Sequence, residues 1–97
     1  MRARLGDRPG VASSLQGLGS IAFALNAPRR AATLWGVAQR LRDETGTSLS
    51  KGDLANDAIE LAAVRATLGD AEFERAGQDG RSMTLEQALA FALEPQP

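Results

Sequence analysis

Helix breakers set at short intervals constrain this chain most. Glycines, an Asn26-Ala27-Pro28 step and an Asp79-Gly80 pair cut its 97 residues into short stretches. Within each stretch the apolar residues recur at three- and four-residue steps, the period of a helix with one buried face. Strand-forming residues are few and never run together, while Ala and Leu dominate the apolar set. Alanine costs least in a helix and lets neighbours approach closely. An all-α fold of about five helices joined by short loops is the expectation, and such loops favour antiparallel pairing.

Residues 1–10 are expected to be a flexible N-terminal segment or the end of a preceding helix, 11–94 a helical domain, and 95–97 a tail. The first helix is placed at 11–25, with Leu15, Leu18, Ile21, Ala22 and Leu25 on one face. Gly17 and Gly19 weaken it in isolation and are read as points where a neighbour comes close. The second helix is placed at 28–45. Pro28 sits near its first position, Gly46 follows as a C-terminal cap, and Ala31, Leu34, Trp35, Ala38 and Leu41 form its stripe.

Ser50 is read as the cap of the third helix, with Asp53 in an imperfect capping box. That helix runs to about residue 68. It carries one apolar stripe at Leu54, Ala58, Leu61, Ala62 and Leu68, and a second at Ala55, Ile59, Ala63 and Ala66. A helix apolar on two sides is expected to be sandwiched. Asp70 is read as capping a short fourth helix to about residue 78, with Phe73 and Ala76 inward and residues 79–82 as a turn. Thr84 and Gln87 form a capping box for the last helix, whose buried face is Leu85, Ala88, Leu89, Ala92 and Leu93. Pro95 and Pro97 stop it.

Composition excludes several chemistries. The chain has no Cys, His or Tyr, so disulfides and thiolate zinc sites are out, and the commonest general base and metal ligand are missing. Charges nearly balance, at 11 basic and 12 acidic residues, which gives no strong basic face for phosphate backbones. No apolar run reaches the roughly 20 residues a membrane helix needs, and a cytoplasmic location is the default. There is no phosphate loop of the G-x4-G-K-[ST] type. Gly17-Leu18-Gly19 follows no strand and is no dinucleotide fingerprint.

Arg29, Arg30, Arg40 and Arg42 are read as a solvated face, with Arg40 and Glu44 at ion-pair spacing. Asp53, Asp57 and Glu60 share one side of the third helix but lack a facing carboxylate helix or histidine. Asp79-Gly80 is only a fragment of a calcium loop. No catalytic, cofactor-binding or metal-binding residue is expected.

Two resemblances carry the functional reading. Residues 15–43 resemble a tetratricopeptide unit: Leu15, then Leu18-Gly19, Ala22, Ala31, Trp35 and Ala38 fall in its slots. The match implies small residues at Gly19, Ala31 and Ala38 for close helix approach, with Leu18 and Trp35 filling the gap. Two departures are Ala22, where an aromatic is usual, and Asp43, where proline is usual. No second copy follows at the same period.

The runs RRAATLWGVAQRLRDETG (29–46), LGDAEF (68–73) and GRSMTLEQA (80–88) resemble, in order and spacing, the C-terminal helical-repeat region of large actinobacterial-type regulators. Those include LuxR-type ATP-binding transcriptional regulators and nucleotide-cyclase-linked homologues. Gly77 stands where that family usually has tryptophan, which is expected to loosen the fourth helix.

These resemblances imply a tetratricopeptide-like array with a repeat core of Leu15, Leu18, Gly19, Ala22, Ala31, Leu34, Trp35, Ala38, Phe73, Leu85 and Leu89. They imply a non-catalytic scaffold that binds a protein, a peptide or neighbouring domains of a parent regulator. Exposed apolar area at either end would mark a missing neighbour repeat or a homodimer contact. The alternative is a small-molecule sensor with a pocket between helices near Trp35 and Phe73.

Overall fold

The computed structural model describes residues 8–46 and 51–93. These form α1 (Arg8–Ala24), α2 (Pro28–Thr45), α3 (Lys51–Leu68), α4 (Asp70–Ser82) and α5 (Leu85–Leu93), with no strand among the described residues. Ser50, the 47–49 connector and the 95–97 tail lie outside the described residues, as does the side chain of Asp53.

Most boundaries follow local chemistry. Pro28 opens α2 in its first turn, and Gly46 closes it in the left-handed region at φ 69°, its N–H donating to the Arg42 carbonyl. Such a residue needs no Cβ, which is why glycine ends helices this way. The Thr84–Gln87 capping box forms in both directions: the Gln87 N–H donates to Thr84 Oγ1 at 3.0 Å, and the Thr84 N–H to Gln87 Oε1 at 2.9 Å.

Three boundaries differ from expectation. Helix α1 begins at Arg8 rather than 11, because Pro9 falls in its first turn, where a missing N–H costs nothing. Gly69, not Asp70, is the N-cap of α4, and no side chain caps it. Residues 79–82 are the last turn of α4 rather than a loop. That turn is held from outside: Arg40 Nη1 donates to the carbonyls of Arg81 (3.0 Å) and Met83, supplying donors to the helix end.

Cross-helix pairs fix the directions of the helices. Between α1 and α2, Gln16 meets Arg42 while Gly19 meets Trp35, so the two run antiparallel. Between α1 and α3, Gln16 meets Asp57 and Ser20 meets Glu60, so these advance together. Between α2 and α4, Arg29 meets Glu72, Gly36 meets Gly77 and Arg40 meets Arg81, again in the same direction. Two hairpins, α1–α2 and α3–α4, therefore stack with like helices parallel.

Helix α2 is the centre. Residues 31–38, with Leu41 and Arg42, are all buried, and its largest interfaces are with α1 and α4. One side of α2 joins Ala12 and Leu15 of α1 and Ala88 of α5 in a cluster with Leu34, Val37, Ala38 and Leu41. The other joins Ala22, Val64 and Ala76 to Ala31, Ala32 and Trp35. Backbone contact is direct at two places. A Cβ on Gly36 would meet the Gly77 carbonyl, and one on Gly80 the Thr33 carbonyl. The expected loosening at Gly77 is therefore not seen; α4 lies against α2 there with no side chain between.

Two members of the expected repeat core lie at the surface. Leu18 is 36% exposed and Leu89 40%. The gap assigned to Leu18 is filled by the Trp35 indole, which occupies the space a Cβ on Gly19 would need. Helix α3 is not sandwiched either. Val64 is its one fully buried apolar residue among those described, while Leu54 and Ile59 are 52% and 69% exposed.

Candidate functional site

Trp35 and Phe73 meet at one cleft. It has a volume of about 200 Å³ and lies between α2, α3 and α4, with Gln16 of α1 at its edge. Trp35 reaches it because the 31–35–38 stripe turns that face of α2 inward. The residue is 4% exposed, and its indole N–H donates to the Gln16 carbonyl at 3.2 Å, satisfying the donor that burial would otherwise strand. Phe73 is half-buried, with the Arg65 guanidinium 4.8 Å from its ring centroid. Leu61 and Ala32 complete the apolar wall.

The buried charged group in this cleft is Arg42, and it corrects the reading of a solvated arginine face. Arg42 is 6% exposed. Its Nη1 donates to Gln16 Oε1 at 3.0 Å and its Nη2 to Gln39 Oε1 at 2.9 Å. Each carboxamide is turned by a carboxylate behind it. Gln16 Nε2 donates to Asp57 at 2.7 Å, and Gln39 Nε2 to Asp43 at 2.8 Å. No carboxylate among the described residues forms an ion pair with Arg42 itself. A guanidinium buried on neutral partners alone is costly. The sequence did carry a signal: residue 42 lies three- and four-residue steps along the stripe from Trp35 and Ala38.

The other arginines of α2 also act structurally. Arg30 Nη2 donates to the carbonyls of Phe91 (2.9 Å) and Ala92 (3.1 Å), and its guanidinium lies 4.8 Å from the Phe91 ring centroid. It thus anchors the end of α5. Arg40 holds the end of α4 and stands 3.7 Å from Glu44, the spacing-based pair. Arg29 pairs with Glu72 on α4. Only that last contact is half-exposed on both sides, where an ion pair adds little.

The carboxylates are dispersed. Asp57 and Glu60 face α1, accepting from Gln16 and from Ser20 Oγ at 2.7 Å. Asp79 and Gly80 are helical. Among the described residues no cluster of three or more acidic, His or Cys side chains converges as metal ligands do. No described helix is long and apolar enough to cross a membrane.

The cleft therefore combines aromatic walls with charged groups whose engagement is unequal. Glu74 is held by Arg65 at 3.3 Å and Asp57 by Gln16. The cleft-lining arginines, Arg42 and Arg81, have no ion pair among the described residues. Apolar walls and two guanidiniums thus line the same cleft. No family model, curated protein or solved structure matches the chain.

Proposed function

We propose that this chain is a non-catalytic helical-repeat interaction module whose two end faces each receive a helical hairpin of the same kind. One observation carries the reading: the stack ends in apolar helix faces on both sides. On α3, Leu54, Ala55, Ala58, Ile59 and Ala62 are all exposed. At 100° per residue they lie roughly 90–170° around the helix from Asp57 and Glu60, which face α1. On α1, Leu18 and Ile21 are 36% and 55% exposed. They lie roughly 100–160° around from Gln16 and Ser20, which face α3. The two faces point to opposite ends of the stack.

The internal geometry supports the same occupant. Hairpin α3–α4 already sits on hairpin α1–α2 with like helices parallel, and repeating that step would bring a further hairpin onto each outer face. Stacked repeats bury their faces only against neighbours. The resemblance of residues 29–46, 68–73 and 80–88 to the helical-repeat region of bacterial LuxR-type regulators supports a place inside a signalling or transcriptional regulator, in the cytoplasm. There the occupants would be neighbouring repeats or domains.

A second copy of the chain supplies the simplest occupant. In sedimentation velocity, the native chain is expected to gain mass with concentration. A chain carrying Ile59→Lys and Ile21→Lys is expected to stay monomeric with unchanged helical circular dichroism. A native chain that stays monomeric at all concentrations and binds no hydrophobic dye would overturn the reading.

The cleft at Trp35 and Phe73 favours a second role, sensing of a small molecule.

A further inference from the structure

We infer that the cleft takes a small aromatic carboxylate, with the ring between Trp35 and Phe73 and the carboxylate on Arg42 and Arg81. The inference rests on the sensing role and deepens it by naming the ligand's chemistry.

Size limits the ligand first. The cleft volume is about 200 Å³. A cavity of roughly 150 Å³ holds one benzene, so there is room for one ring and one small polar group. The walls choose the ring. Trp35, Phe73 and Leu61 are apolar, and Gly36 and Gly77, whose backbones touch, add no side chain to the lining.

Charge chooses the polar group. Four ionisable side chains line the cleft, and the two acidic ones are already engaged: Asp57 by Gln16, Glu74 by Arg65. The two basic ones lack an anion among the described residues. Arg42 is fixed in place, since Gln16 and Gln39 hold its guanidinium and are themselves held by Asp57 and Asp43. Five N–H donors sit on a guanidinium, and these two bonds leave others for a ligand. Arg81, on the last turn of α4, lies over Gly77 and closes the site as a second cation. A carboxylate accepts paired N–H groups from arginine in a planar fork.

The test uses the intrinsic fluorescence of Trp35, the single tryptophan. Benzoate is titrated into the whole chain against benzamide, its neutral relative, benzylamine, its cationic one, and inorganic phosphate. Benzoate is expected to change the emission saturably, with the other three at least about tenfold weaker, the loss expected when a charge-assisted hydrogen bond is forfeited. Arg42→Gln should remove the benzoate response, and its circular dichroism reports whether the fold survives. Two further variants do not depend on that network. Arg81→Gln should weaken benzoate about tenfold or more. Gly77→Leu, at a position where a Cβ meets only the Arg81 side chain at 3.6 Å or beyond, should abolish binding by filling the cleft.

Benzamide or benzylamine binding as well as benzoate overturns the carboxylate assignment and leaves sensing standing. Phosphate binding as well as benzoate overturns the role of the ring. Benzoate affinity unchanged in Arg81→Gln and Gly77→Leu overturns the site. Failure of all four probes overturns both the ligand class and the sensing role.

Discussion

Glycines show how differently one residue type behaves at the residue scale. Gly17 lies in the exposed middle of α1, with nothing within 4 Å of where a Cβ would stand. Gly17→Ala should stabilise the chain by about 0.5–1 kcal/mol, because alanine is the better helix former and restricts the unfolded chain. Gly80 has the same sequence appearance but faces the Thr33 carbonyl across the α2–α4 contact. Gly80→Ala should destabilise by about 1–3 kcal/mol, since a backbone, not a movable side chain, is in the way. Urea denaturation of both variants gives opposite shifts in midpoint if α4 packs as described, and equal shifts if it does not.

Arg42 makes the same point with charge. Its burial was written in the stripe of α2, but arginine's polarity assigned it to the surface. The partners that make burial tolerable, Gln16 and Gln39, sit on two different helices. No local pattern announces a network of that kind. Leu18 failed in the other direction: it has the right spacing and chemistry for the core, yet Gly19 beside it admits the indole that takes the space.

Elements were legible wherever their ends are made by local chemistry. Helix α2 matches its expected span because Pro28 and Gly46 act on their own neighbours. The start of α5 was legible for the same reason. Thr84→Ala should cost about 1 kcal/mol, read as a lower melting temperature, by stripping one half of the capping box. The end of α4 was not legible. Asp79-Gly80 reads as a turn, but Arg40, some forty residues earlier, supplies the donors that keep the last turn helical. Arg40→Met keeps much of the stem's packing and removes those donors. It should cost about 1.5–3 kcal/mol, the range for hydrogen bonds to a charged group. Amide exchange in residues 79–82 should quicken first. Exchange unchanged there would mean the turn is helical by its own preference.

Helix α3 was legible as an element and misread in its surroundings. The side that meets other helices is Leu61–Val64–Leu68; Val64 stood in neither expected stripe, while Leu54, Ala58 and Ala62 of the first stripe are exposed. On the other side, Leu54 and Ile59 are more than half exposed. A sequence states that a face is apolar; it does not state whether the covering element belongs to the same chain.

That ambiguity defines the whole molecule. The described residues have a radius of gyration of 12.6 Å, two hydrophobic clusters flanking one central helix, and apolar faces left over at both ends. The cleft at Trp35 and Arg42 lies inside the stack and does not depend on the ends. A head-to-tail contact between unlike faces does not close on itself and would build open chains. Blocking one face per molecule turns that open series into a closed pair. The direct measurement is therefore light scattering on a mixture of two variants, Ile21→Lys, which blocks the α1 face, and Ile59→Lys, which blocks the α3 face. Each alone should be monomeric, and the equimolar mixture should form a one-to-one dimer. Two variants that stay monomeric when mixed, or that each dimerise alone, would contradict the account.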